Sequence, residues 1–235
     1  EDVTISVKPK GQDGTAVVEL NTFDNAPVYY TLDGSEPTSE SLRYTEPFMI
    51  NRTTTIKARA IRNGRESNVT EETLTYNLAT MRPITLKCEP DEKYTYQGAN
   101  LLVDGLQGDD NYRSGRYIGL YGQDFDATID LQETKEISSV SLGTYLVPGD
   151  YIFGLTGLEI YGSNDGSTYS KIALKTIPVL EKGCKNNVLK RDTVSFEKTK
   201  ARYVRIIGKN TPALPKWHPG AGKQTYLFLD EITIN

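Results

Sequence analysis

The segment Thr55-Ile-Lys-Ala-Arg-Ala-Ile61 alternates apolar and charged residues with a period of two, which only an extended strand can use. It points Ile56, Ala58 and Ala60 toward a core and Lys57 and Arg59 toward solvent. Shorter runs of the same kind, divided by turn signals, fill the first third of the chain. Val3–Val7 is followed by the turn Gly11-Gln-Asp-Gly14, Thr15–Leu20 is a second strand, and Val28–Leu32 runs into Asp33-Gly34. Asn63-Gly64 then leads into Glu72–Asn77. No segment has the helical period, so residues 1–80 are predicted to form a small immunoglobulin-like sandwich.

The pattern lapses at Leu78-Ala-Thr-Met-Arg-Pro83, which marks a domain junction. Beyond it the predicted strands are longer: Ile84–Cys88, Asp126–Leu131, Ile137–Tyr145, Leu158–Tyr161, Thr193–Phe196, Ala201–Ile207 and Thr225–Ile234. Ala127, Ile129 and Leu131 face a core in this reading, while Asp124, Asp126 and Asp130 form a solvated face. Between Glu89 and Phe125 the chain is Gly- and Tyr-rich and irregular, a length that calls for a functional role or an anchor. Residues 81–235 are expected to form a second, larger antiparallel sandwich. The whole chain is therefore all-β.

Bulk properties exclude several function classes. A net charge of −4 removes the basic footprint of a nucleic-acid binder. No apolar run approaches the ~20 residues of a membrane span. The start at Glu1 lacks the basic and apolar regions of a signal peptide and suggests a mature form or an excised fragment. Two cysteines, Cys88 and Cys184, allow one disulfide at most and no zinc scaffold. The single His rules out His-cluster metal sites. It sits beside the single Trp in the loop Leu214-Pro-Lys-Trp-His-Pro-Gly-Ala-Gly222, whose Pro and Gly residues fix the backbone path. No Gly-rich phosphate loop and no serine in a nucleophile elbow is present.

Two stretches resemble known families. Val28-Tyr-Tyr-Thr-Leu-Asp-Gly-Ser-Glu-Pro-Thr38, Tyr44-Thr-Glu-Pro-Phe48 and Thr54–Ala60 resemble the chitobiase/β-hexosaminidase C-terminal domain, over roughly residues 1–78. Leu102-Val-Asp-Gly105, Ile129-Asp-Leu131, Gly162–Gly166, Ala201–Ile206 and Leu229-Asp-Glu-Ile232 are similar to the coagulation factor 5/8 type C, or discoidin-like, domain. That is the jelly-roll fold of carbohydrate-binding module family 32. The Trp217–Gly222 loop resembles the version attached to family 20 glycoside hydrolases. The resemblance implies a non-catalytic accessory region of an extracytoplasmic β-N-acetylhexosaminidase, with the enzyme's own catalytic domain as one partner. The alternative is a structural or protein-interaction module that braces the barrel without binding sugar.

Family 20 catalysis uses an adjacent Asp–Glu pair, and Asp230-Glu231 is such a pair in letters only. On a regular strand neighbouring side chains point to opposite faces, so the two cannot converge on one glycosidic oxygen. No catalytic residue is assigned. For a glycan ending in N-acetylhexosamine or galactose, Trp217 and His218 are the candidate contacts, with Tyr145 and Tyr151 lining the same end of the sandwich. An aromatic ring stacks on the C–H face of a pyranose while a ring nitrogen binds hydroxyls. The resemblance further implies a structural calcium ion held by Asp104, Asp109 and Glu231, since calcium accepts carboxylates in a flexible geometry. In place of the usual Thr-x-Trp-like closure, this chain has the longer Gly108–Tyr117, and Val147–Phe153 supplies neither the Arg nor the Asn of galactose-type sites.

Overall fold

The computed structural model describes residues 1–235. Contacts divide the chain into two compact units, Glu1–Tyr76 with Asp104–Leu106, and Asn77–Val103 with Gln107–Asn235. The division falls just before Leu78 because the junction residues belong to the second unit's framework. Asn77 Oδ1 accepts the N–H groups of Ala79 and Ile234, and Leu78 N–H donates to the Ile234 carbonyl. Ala79, Thr80 and Met81 are buried as a result.

The first unit contains β1 (Thr4–Pro9), β2 (Ala16–Asn21), β3 (Val28–Thr31), β4 (Leu42–Arg43), β5 (Phe48–Ile50), β6 (Thr54–Arg62), β7 (Arg65–Glu66) and β8 (Thr70–Leu74). They form two antiparallel sheets, ordered β1-β2-β5 and β4-β3-β6-β7, with β8 added to β6. Alternation on β6 holds: Ile56, Ala58 and Ala60 are buried. The charged side chains between them are paired on the outer face, Lys57 Nζ with Glu36 at 2.6 Å and Arg59 with Glu66 at 2.6 Å. Asn63 and Gly64, both with positive φ, make the tight turn to β7.

The second unit contains β9 (Ile84–Leu86), β10 (Ile118–Tyr121), β11 (Phe125–Leu146), β12 (Leu155–Ser163), β13 (Ser170–Thr176), β14 (Val188–Asn210) and β15 (Tyr226–Ile234). Two expected pairs of strands are each one continuous strand. Asp126–Leu131 and Ile137–Tyr145 are both parts of β11, and Thr193–Phe196 and Ala201–Ile207 both lie in β14. The two strands stay paired along their length, through register shifts at Asp130/Lys135 and Ile137/Ser139 and a left-handed Gln132. Such irregularities bend a ladder without ending it. The single sheet β10-β15-β11-β14-β12-β13, with β9 on β11, thereby folds over itself into a jelly-roll sandwich. Ile129, Leu142, Val204, Leu227 and Leu229 lie fully buried between its layers.

Asp124, Asp126 and Asp130 do not stand in water as single charges. Asp126 and Asp130 receive two-pronged hydrogen bonds from Arg205 and Arg202, and Asp124 pairs with Lys209 at 3.1 Å. The β11–β14 register creates this ladder by setting Asp126 opposite Ile207, two positions from Arg205, and Asp130 opposite Tyr203, one position from Arg202.

Candidate functional site

The Trp217 loop is closed at its base by backbone hydrogen bonds, Leu214 N–H to the Lys223 carbonyl (2.8 Å) and Gly222 N–H to the Leu214 carbonyl (2.9 Å). Within it, His218 N–H bonds the Pro215 carbonyl and Ala221 N–H bonds the His218 carbonyl. His218 is the loop's anchor and is 6% exposed. Its Nδ1 accepts the Gly220 N–H at 2.9 Å, so the ring proton sits on Nε2, which donates to the Pro148 carbonyl at 2.7 Å. Both ring nitrogens are thus consumed inside the protein. His218 fixes the loop and has no nitrogen to give a ligand.

The carbonyl it grips belongs to the turn Pro148–Asp150, which ends in Tyr151 with φ of 65°. Tyr151 N–H donates to that same carbonyl, and Tyr151 and His218 meet edge to face at 5.3 Å. Gly220 lets the two pack closely, because a Cβ there would lie 2.9 Å from the Tyr151 phenol and displace it. Trp217, half-buried, lies over the fully buried Phe153, ring centroids 6.0 Å apart and 29° from parallel. Trp217 is therefore backed by an aromatic and held by a hydrogen-bonded neighbour, with part of its ring in solvent. Next to Phe153, the Gly154 carbonyl accepts Thr211 Oγ1 at 2.9 Å. Thr211 also walls a groove of about 500 Å³ that Asp124, Thr156 and Lys209 line with polar groups.

Tyr145 takes a different place. At 2% exposure it lies beneath the 107–117 segment and donates to the Asp110 carbonyl at 2.7 Å. Tyr117, fully buried beside it at 5.4 Å, donates to the Asp109 carbonyl at 2.5 Å. The two phenols hold the long loop onto the outer face of β11. Gly108 completes the clamp, since any side chain there would overlap the Tyr117 ring. Tyr145 thus supports the loop and has no face open to a sugar, while Trp217 and Tyr151 remain partly accessible and share the loop–turn junction.

Two of the carboxylates assigned to calcium bond within their own turns. Asp104 Oδ1 accepts the Leu106 N–H of its own turn, and Asp109 Oδ1 accepts the Asn111 N–H. No group of three or more His, Cys, Asp or Glu side chains is arranged to hold a metal ion.

Asp230 and Glu231 depart from strict alternation. Thr144 pairs with Leu229 and Leu142 with Ile232, so these two residues together oppose the single Gly143, as in a β-bulge. Leu229 and Ile232 both enter the core, which is why the intervening pair does not split regularly between faces. Asp230 is completely buried. Its Oδ2 accepts the Gly108 N–H at 2.9 Å and lies 3.5 Å from Arg191, while Oδ1 has no hydrogen-bond partner. Burial raises its pKa above the usual carboxylate value, opposed by Gly108 and Arg191. Through Gly108 it ties the 107–117 loop to the sheet.

A second aromatic surface was not apparent from the sequence. On the outer face of β15, Tyr226 packs against Tyr121 at 4.6 Å and against the edge of Tyr94 at 6.0 Å. Tyr94 in turn meets Tyr112 at 6.3 Å, and buried Phe228 floors both. The residues come from β10, β15, a 3-10 turn and an irregular loop. Only the density of Tyr between Tyr94 and Tyr121 hinted at it.

Residues 18–74 match the family described as Fn3 associated, and residues 86–226 match F5/8 type C domain. No curated protein matches the chain. Among similar solved structures, chitosan-binding module 1 from a chitosanase/glucanase of Paenibacillus sp. IK-5 shares 16% identity, with a TM-score of 0.45, covering 68% of this chain and 98% of that one. A fucose-binding module of Streptococcus pneumoniae shares 17%, with a TM-score of 0.43 and coverage of 68% and 94%. A Clostridium perfringens module in complex with GalNAc-β-1,3-galactose shares 18%, with a TM-score of 0.42 and coverage of 65% and 93%. With one family matched across residues 86–226, more than half of its length, the chain belongs to the F5/8 type C domain family.

Proposed function

We propose that the second unit is a carbohydrate-binding module whose primary contact is the exposed part of Trp217, with Tyr151 beside it. The observation that carries this reading is the way Trp217 is held. It stacks on Phe153 while its neighbour His218 spends both ring nitrogens fixing the loop. An aromatic immobilised before binding loses little freedom when a sugar stacks on it. The polar groove beyond Thr211 supplies donors and acceptors for ring hydroxyls. The sugars proposed are N-acetylhexosamine or galactose at a glycan terminus.

Titration with galactose, N-acetylgalactosamine and N-acetylglucosamine tests this directly. The expected result is saturable quenching of the single Trp with one of them, and loss of calorimetric binding in Trp217→Ala with the fold intact by circular dichroism. Silence toward all three sugars would sink the reading.

As proposals resting on the sequence resemblance, the chain is the accessory region of an extracytoplasmic family 20 β-N-acetylhexosaminidase and works beside that enzyme's catalytic domain. A family 20 barrel encoded in the same reading frame would support this parentage; an unrelated neighbour would remove it. A protein-binding role for the first unit draws on a separate observation. Phe23 is 92% exposed, and Leu42 and Met49 are also largely exposed. Burial of these side chains against a partner would stabilise such a complex.

A further inference from the structure

The tyrosine surface on β10 and β15 has a composition the packing of the sandwich does not require. A layer that merely covered the sheet would use aliphatic side chains; here four phenols lie edge to edge with charged groups among them. Tyr121, 42% exposed, overlaps the half-buried Tyr226. Tyr94 and Tyr112 extend the row over Phe228. The charged groups have both signs. Tyr112 donates to Asp150 Oδ2 at 3.1 Å and carries the Arg113 guanidinium over its ring at 5.2 Å. Tyr226 reaches toward Asp91 at 3.5 Å. Gly119 makes the row close-packed, since a Cβ there would come within 2.9 Å of Tyr94 and 2.8 Å of Phe228.

The row is built onto the Trp217 site. Tyr226 N–H donates to the Tyr151 carbonyl at 2.8 Å, and Ile152 bridges to Tyr226. Asp150, which accepts from Tyr112, precedes Tyr151, whose ring meets His218. One turn, residues 150–152, therefore joins the two aromatic surfaces. We propose that the tyrosine row is a second subsite, and that together with Trp217 it receives a chain of β-linked N-acetylhexosamine units, not only a terminal sugar. The inference rests on the carbohydrate reading of Trp217.

The chemistry favours a neutral, amide-bearing glycan. Aromatic faces take the C–H surfaces and acetyl methyls of successive units, and Asp91 and Asp150 accept amide and hydroxyl protons. Alternating charge gives no preference for a polyanion, in keeping with a net charge of −4. A peptide added as a strand needs an open sheet edge. The edge strand here is β10, whose Ile118, Gly119 and Leu120 are buried.

The test is calorimetry on the full chain with N-acetylglucosamine and its β-1,4-linked dimer and tetramer. Binding at two linked subsites raises the second contact's effective concentration, so affinity is expected to increase about tenfold or more from monomer to tetramer. Tyr121→Ala, at an exposed position, should erase that increase and leave monomer affinity within about twofold, whereas Trp217→Ala should abolish binding of both. Arg113→Ala should also reduce the tetramer's advantage without changing the monomer.

Equal affinity for monomer and tetramer, or an increase that survives Tyr121→Ala, overturns the second subsite and leaves the Trp217 reading standing. Failure of both monomer and tetramer to bind overturns the proposal for this glycan class. The Trp217 reading then stands or falls on galactose and N-acetylgalactosamine. Displacement of the tetramer by a proline-rich peptide, dependent on Tyr121, would reassign the row to protein.

Discussion

His218 is the residue on which the candidate site most depends, although it touches no ligand. Removing its ring leaves the Pro148 carbonyl and the Gly220 N–H short of buried partners. His218→Ala should therefore destabilise the second unit by about 1–3 kcal/mol, read from a denaturant melt. It should also weaken sugar binding with Trp217 still present, because the loop loses its anchor. An unchanged melt would show that the loop is fixed by other means. Asp230 gives a prediction with a definite pH sign. Burial raises its folded pKa above 3.8, so between the two values the folded chain holds a proton the unfolded chain has lost. Its contribution is complete below pH 3.8 and is lost as pH rises through the folded value. Asp230→Asn, neutral throughout, should therefore gain on the wild type in urea-midpoint comparisons as pH rises from 4 to 7. Parallel curves would refute the assignment.

At the scale of elements, β11 and β14 decide the architecture. Their bends keep one ladder paired while wrapping it around the core, and the β15 bulge opposite Gly143 places Asp230 under the long loop. A side chain at Gly143 would overlap Asp230 Oδ1, which is fully buried and has no room to withdraw. Gly143→Ala should cost about 1–3 kcal/mol by overpacking, and more than the same change at exposed Gly149, whose Cβ meets nothing within 4 Å. Equal melting temperatures for the two variants would contradict the packing. The strands themselves were legible in the sequence because alternation is a local property, and Ile56, Ala58 and Ala60 fall where it puts them. The continuity of β11 through Gln132 was not, since a left-handed residue and a register shift look like a turn when read along the chain.

At the scale of the whole molecule, the calcium expectation is open to a simple measurement. Asp104 and Asp109 each cap their own turns, and no cluster of three carboxylates is preformed. If the ion is bound through backbone carbonyls beside these carboxylates, EDTA lowers the melting temperature; no shift would remove the calcium reading. A rise on adding calcium would support the site, because an ion that binds only the folded state stabilises it. The sequence by itself determined the all-β class and the Pro- and Gly-framed loop that carries Trp217. Each of these depends on residues near one another along the chain. Only the tertiary structure decided which candidates face solvent. It buried His218 and Tyr145 as supports, left Trp217 and Tyr151 partly open, and gathered Tyr94, Tyr112, Tyr121 and Tyr226 into one row. Those placements depend on strand register and on which loop covers which sheet face, and both are set by contacts between residues distant in the chain, from Tyr145 with Asp110 (35 positions apart) through His218 with Pro148 (70) to Gly108 with Asp230 (122).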